Sequence, residues 1–317
     1  MVFGIFSCSS FSCQQCPNRC KKSIAFLQSK GHKVILGSLF NNVNDKYRSG
    51  SIIQRAQEFN ELLEMKCDIY LSAIGGFCAN SITPLINYDL ITKDMIFVGC
   101  SDATTVLVNI VEKTKAKVIY GPALITHFGE WEEYYAQQSY DALIKAIQNP
   151  VNEVKEFEYW TQDYKNWDTF TSEKQKHKNS IIFQGEKTIS GNLYPINLSS
   201  FSTAFNKSIK KIRKNNTILF IEDSNKDIEM VEKLFSFLVS NKLLKNVSGV
   251  IFGKYENFDD KGSKKLPHQV FIEITEANKI NIKNLVYYID CGHTHPTNAL
   301  IFNKKIFIDF ENKKIWQ

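Results

Sequence analysis

The sequence predicts an α/β protein. A parallel-sheet domain spans residues 1–150, a crossover with an aromatic loop spans 151–180, and a smaller β-rich mixed domain spans 181–317. Three observations carry that expectation. Apolar runs alternate with helical periodicity through the first half, the pattern fails between Gln148 and Asn179, and shorter β segments with one clear amphipathic helix fill the rest. Near-continuous apolar strands separated by helices imply a parallel sheet covered on both faces.

The elements follow in order. "VFGIFS" reads as a strand, and "NRCKKSIAFLQSKG" as a helix that Gly31 ends. "KVILG" is a second strand. "SIIQRAQEFNELLEM" puts Ile52, Ile53, Ala56, Phe59, Leu62 and Leu63 on one face and opens with Ser51 and Gln54 spaced as a capping box. "DIYLSAI", "MIFVG" and "AKVIYG" complete five strands. In the second half "TILFIED", "VSGVIFGKY", "NLVYYIDCG" and "KKIFIDF" are β segments, and "IEMVEKLFSFLVSNKLL" is the helix.

Bulk properties narrow the function. A chain of 317 residues has ample length for a buried core, and 43% hydrophobic with 23% charged residues is ordinary for a globular protein. The net charge of +6 comes mostly from scattered lysines, with arginine only at positions 19, 48, 55 and 213. Nucleic-acid readers favour the arginine fork, so no nucleic-acid partner is expected. No apolar run reaches the ~18 residues that cross a bilayer, so no membrane association is expected. "MVFGIFSCSS" has no positive n-region, and a cytoplasmic location with reduced thiols is expected. Cys8, Cys13, Cys16 and Cys20 nevertheless cluster as C-x4-C-x2-C-x3-C. Their first three match an iron–sulfur loop spacing, against the plainer reading of a thiol-rich first loop.

Four stretches carry chemistry. In "FVGCSDATTVL", Ser101 stands on a strand-to-helix turn with small Gly99 and Ala103 two positions away on either side, the steric need of a nucleophile elbow. The same string also serves as a helix cap. "SAIGGF" ends a strand on Gly75-Gly76, where backbone N–H groups can approach a substrate; the amides of Gly76 and Asp102 would make an oxyanion hole. A simple turn is the alternative. "TILFIEDSN" ends on Glu222-Asp223, able to orient a histidine or merely to precede a helix. "IDCGHTHPTNAL" sets His293 and His295 on a Gly- and Pro-bounded turn; metal binding there lacks the supporting ligands of known motifs. His32, His127, His177 and His268 have no such setting.

Together these stretches resemble the LD-carboxypeptidase and microcin C immunity family of serine peptidases. The resemblance covers nearly the whole chain, through "GIFSCSS", "YRSGSIIQRAQEFN", "AIGGFCANSITPLINYDLI", "YGPALITHFG", "ISGNLYPINLSSF", "ILFIED" and "CGHTHPTNALI". It implies Ser101 as nucleophile, His293 as base (the histidine of Gly-His-x-x-Pro), Glu222 as the orienting carboxylate, and Gly76 and Asp102 as oxyanion donors. It implies a Rossmann-like first domain, a β-rich second domain, a site between them, no metal or organic cofactor, and a homodimer.

One branch of that family trims murein tetrapeptides. The other cleaves the amide joining an aminoacyl group to a nucleotide-like sulfamate or phosphoramidate, and carries loop tryptophans that stack on the base. Trp160 and Trp167 in "EYWTQDYKNW", with "HFGEWEEYY", look like the second branch, so a small peptide or aminoacyl-nucleotide substrate is implied. Asn192 in "ISGNLYP" is a further implied substrate-binding position. Cys78, Cys100 and the first-loop cysteines depart from the pattern. Three rivals stand beside this reading. One is a thiolate metal or redox protein on those cysteines, and another is a catalytically silent binder. The third is an α/β-hydrolase, disfavoured because the second half shows no βα alternation.

Overall fold

The computed structural model describes residues 1–11, 13–41, 45–163, 165 and 167–317. Its first sheet holds β1 (Val2–Phe6), β2 (Lys33–Leu36), β3 (Ile69–Ser72), β4 (Ile96–Gly99) and β5 (Lys117–Tyr120), all parallel, in the order β5-β4-β3-β1-β2. Between them run α1 (Pro17–Ser29), α2 (Ile52–Glu64) and α3 (Thr104–Lys113), and α4 (Glu133–Gln148) follows β5. Strands β3 and β4 are buried almost throughout, which explains their unbroken apolar reading. The Ser51–Gln54 capping box forms in full, and Gly31 takes φ +79° just beyond α1.

A two-stranded ribbon follows, β6 (Tyr159–Trp160) against β7 (His177–Lys178). The second sheet comprises β8 (Ile182–Gln184), β9 (Ile189–Asn197), β10 (Thr217–Glu222), β11 (Val247–Gly253) and β12 (Leu285–Ile289). The chain then crosses to β13 (Leu300–Ile301), antiparallel to β5 at the edge of the first sheet, before β14 (Lys305–Asp309) and β15 (Lys314–Trp316) return to the second, whose order is β15-β14-β9-β10-β11-β12-β8.

This second sheet is mixed, but its centre β9-β10-β11-β12 is parallel. Its crossovers are α5 (Leu198–Ala204), α6 (Ile228–Ser240) and α7 (Pro267–Ala277). The βα alternation that the sequence conceals is therefore present. Only α6 announces itself; α5 is seven residues rich in serine, and α7 interrupts its apolar face with polar residues. Parallel strands gather ligands at their carboxyl ends. Both sheets turn those ends to one place: Gly99 and Tyr120 close β4 and β5, Asn197 and Glu222 close β9 and β10, and the β12–β13 connection carries His293 across. No helix among the described residues is long and apolar enough to cross a membrane.

Candidate active site

Ser101 occupies the turn between β4 and α3 with φ +57°, a left-handed conformation that costs a non-glycine residue roughly 1–2 kcal/mol. The neighbours explain the small residues around it. A Cβ on Gly99 would stand 3.0 Å from the Ser72 Cβ and 3.1 Å from that of Ala103, and one on Gly75 would stand 2.6 Å from the Ser101 hydroxyl. Gly75→Ala is therefore expected to displace the hydroxyl and to lower kcat/KM on the order of 10²-fold, with thermal stability nearly kept. Steady-state kinetics beside a melting curve checks this.

The Asp102 side chain faces away from solvent. Its carboxylate accepts from the Ser9 hydroxyl at 2.6 Å and the Ala79 N–H at 2.8 Å, tying the first loop and the Gly75–Ala79 turn to the start of α3. Gly76 has φ +144°, and a Cβ there would strike the hydroxyls of Ser9 and Ser10 at 2.3 and 2.4 Å. Among the described residues neither the Gly76 nor the Asp102 N–H has an acceptor. The Asp102 amide follows Ser101 directly, and Gly75, just before Gly76, packs against the Ser101 side chain.

Glu222 is fully buried and fully bonded. Its Oε1 accepts from Tyr120 at 2.5 Å and from Asn197 Nδ2 at 2.9 Å; its Oε2 lies 2.7 Å from His293 Nδ1. Glycines make room for it. A Cβ on Gly292 (φ +111°) would stand 2.5 Å from the carboxyl carbon, and one on Gly253 2.7 Å from the Glu222 Cβ. Asp223 continues the polar seat, bonded to Ser199 and 3.4 Å from the Lys226 ammonium, with its carboxyl raised by burial.

The His293 side chain is 14% exposed. Burial alone would lower its pKa, but the Glu222 charge and hydrogen bond outweigh that and raise it to about 9. With Nδ1 committed to Glu222, Nε2 is left for proton exchange. The Ser101 hydroxyl makes no hydrogen bond to His293 among the described residues; the two are linked through Tyr120, whose oxygen accepts from the Ser101 N–H at 3.4 Å and donates to Glu222. Hydrogen bonds of this kind tighten when substrate is bound.

His295 is set apart from this group. Its Nε2 lies 3.9 Å from Glu130, which also binds Arg19 at 3.0 Å and Lys174 at 2.6 Å. His127 is a satisfied core histidine: Nδ1 accepts from the Ala123 N–H and Nε2 donates to the Gly292 carbonyl, each at 2.9 Å, and burial lowers its pKa to about 4. It buttresses the turn that presents His293.

The remaining expected positions divide. Trp160 lines a cavity of about 390 Å³ with Gly253, Tyr255, Phe258, His268 and Tyr288, and Gly253 backs directly onto Glu222. Its neighbour Thr161 exchanges backbone hydrogen bonds with His295, which fixes the ribbon to the histidine turn. Trp167 instead lies under the Arg19 guanidinium, 4.2 Å from its ring centre, and its carbonyl accepts from the same group. Asn192 is corrected. It lies inside β9, opposite Thr217, whereas Asn197 ends that strand opposite Glu222. Five residues of strand put Asn192 roughly 16 Å from the carboxyl end.

Tyr120 and Asn197 are the functional residues that sequence reasoning missed. Each is a polar tip at the carboxyl end of a buried strand, and that position was the available signal. Among the described residues, no group of three or more His, Cys, Asp or Glu could hold a metal ion.

Family models match both halves of the chain: residues 3–121 fit the LD-carboxypeptidase N-terminal domain, and residues 190–308 fit the LD-carboxypeptidase C-terminal domain. The chain belongs to the LD-carboxypeptidase family. Like the family, it is a serine peptidase-type hydrolase. It is similar to the Microcin C7 self-immunity protein MccF of Escherichia coli, 36% identical over 99% of this chain and 92% of that protein. A putative carboxypeptidase of Vibrio cholerae is 33% identical over 98% of this chain and 92% of its own length. The solved structure of MccF in complex with glutamyl sulfamoyl guanosine superposes with a TM-score of 0.94 at 36% identity, covering 99% of this chain and 95% of that one. MccF in complex with aspartyl sulfamoyl adenosine gives the same score at 37% identity and the same coverage. This LD-carboxypeptidase-family chain therefore shares its α/β architecture with a protein whose bound ligands join an amino acid to a nucleoside.

Proposed function

We propose that the protein hydrolyses the amide-type bond between an aminoacyl group and a nucleoside sulfamate or phosphoramidate, as an immunity peptidase. The observation that carries the chemistry is the His293–Glu222 pair at 2.7 Å, linked through Tyr120 to the Ser101 turn. His293 takes the Ser101 proton as the hydroxyl attacks the carbonyl, the amides of Gly76 and Asp102 hold the oxyanion, and Glu222 stabilises the imidazolium. Water then releases the acyl group with His293 again as base. The nucleoside preference is supported by the likeness to MccF and by Trp160 at the cavity beside Glu222. A cytoplasmic homodimer completes the proposal.

Two expected results test it. Because the base must be neutral and the folded pKa of His293 is raised, kcat/KM should climb about tenfold per pH unit below about 9 and level off above it. A profile flat from pH 6 to 10 contradicts the assignment of the base. The second is a side-by-side assay of an aminoacyl sulfamoyl adenosine and a murein tetrapeptide. The nucleoside should be the better substrate, and Trp160→Ala should raise its KM by on the order of tenfold or more, since stacking is worth about 1–3 kcal/mol. A wild-type preference for the tetrapeptide would move the protein to the wall-recycling branch.

A further inference from the structure

The turn that carries the Gly76 amide is held from behind by a side chain the reaction does not use. Arg55, on the first turn of α2, is fully buried. Its Nε donates to the Gly50 carbonyl at 3.0 Å, and its Nη1 to the carbonyls of Cys8 and Cys78 at 2.6 and 3.0 Å. Its Nη2 donates to the Ser81 hydroxyl at 3.0 Å, and that hydroxyl donates to the Cys78 carbonyl at 2.8 Å.

All of these acceptors are neutral. Arg19, also fully buried, has Glu130 as its ion-pair partner, whereas Arg55 forms no ion pair among the described residues. A buried cation is costly unless well-made hydrogen bonds and a counter-charge offset its lost hydration. Here the counter-charge is reached through the backbone. The Cys78 carbonyl and the Ala79 N–H belong to one peptide group, whose oxygen accepts from Arg55 and whose N–H donates to the Asp102 carboxylate at 2.8 Å. Cation and anion therefore polarise the same peptide from opposite ends, which strengthens both bonds.

The first loop closes the circuit. Arg55 binds it at the Cys8 carbonyl, and the Ser9 hydroxyl accepts from the Cys78 N–H at 3.2 Å while donating to Asp102 at 2.6 Å. The Ser10 N–H donates to the Gly75 carbonyl at 3.1 Å. A lysine could not do the same, because only the planar fork reaches all four partners at once.

We propose that Arg55 is a positioning residue for the oxyanion hole: with Asp102 it clamps the Cys78–Ala79 peptide from both ends and so fixes the turn bearing the Gly76 amide. This rests on the hydrolase reading, though not on its choice of substrate. An oxyanion forms only in the transition state, so a displaced amide lowers kcat and leaves KM nearly unchanged.

The test uses the full chain and whichever of the aminoacyl sulfamoyl adenosine and the murein tetrapeptide wild type cleaves faster. Active sites are counted by exhaustive fluorophosphonate labelling. Arg55→Lys should lower kcat per active site by on the order of 10²-fold with KM within about twofold. Ser81→Ala, which keeps the buried charge, should lower it about tenfold. The pH profile should keep its wild-type midpoint, since His293 and Glu222 are untouched. If both charges act through one peptide, Arg55→Lys combined with Asp102→Asn should lose little more than the worse single variant. Additive losses, or a lowered melting temperature with kcat per active site intact, overturn the proposal. Should Arg55→Lys not fold, the cycle of Ser81→Ala with Asp102→Asn is read in the same way. A wild type that cleaves neither substrate and leaves Ser101 unlabelled fails the hydrolase reading itself, and the Arg55 assignment with it. Normal wild-type turnover matched by the variants fails the Arg55 assignment alone.

Discussion

Replacing Ser101 by alanine is expected to lower kcat/KM by at least about 10³-fold while the fold survives. The separation of the two effects follows from the geometry. Among the described residues the Ser101 hydroxyl makes no hydrogen bond, so its removal leaves no polar partner stranded. The backbone strain at φ +57° is the same for alanine as for serine, because both carry a Cβ. The melting temperature should stay within a few degrees of wild type. If the purified variant turns over at the ordinary rate, the nucleophile lies elsewhere.

Glu222→Gln should be nearly as damaging, on the order of 10³–10⁴-fold in kcat, through a tautomer rather than a missing group. Tyr120 and Asn197 both donate to Oε1, so the new amide must keep its oxygen there. Its NH₂ then faces His293 Nδ1 at the 2.7 Å position and can only donate to it. The imidazole is forced to carry its proton on Nε2, the nitrogen that must accept from Ser101. With the Glu222 charge gone, burial is opposed only by the Glu256 and Asp223 charges, and the His293 pKa should fall from about 9. Imidazole NMR titration reads that fall directly. An unchanged titration would show that Glu222 does not govern the ring.

The legible and illegible parts of the sequence divide along physical lines. Strands buried on both faces, such as Ile69–Ser72 and Ile96–Gly99, show as plain apolar runs, and the Ser51–Gln54 cap shows because its partners are three residues apart. The Leu300–Ile301 strand does not show: two residues become a strand only by meeting Tyr120 and Ile119, far away in the chain. The same limit governs the site. Ser101, Glu222 and His293 stand on local turns and strand ends with recognisable neighbours, and His293 was separable from His295 only by resemblance. Tyr120 hides as one more apolar strand residue until Glu222 comes within 2.5 Å of its hydroxyl. Asn192 and Asn197 share one strand, and only the register against β10 shows which of them reaches Glu222. The two loop tryptophans, seven residues apart, look alike in sequence, yet one faces a cavity and the other is held by Arg19.

The central claim is an activated hydroxyl at Ser101, and covalent labelling addresses it most directly. A fluorophosphonate, with the adduct located by peptide mass spectrometry, should mark Ser101 alone, fastest above pH 9 and scarcely at all in the Glu222→Gln protein. Stoichiometric labelling of another residue, or an unlabelled Ser101 in protein that still hydrolyses its substrate, contradicts the account.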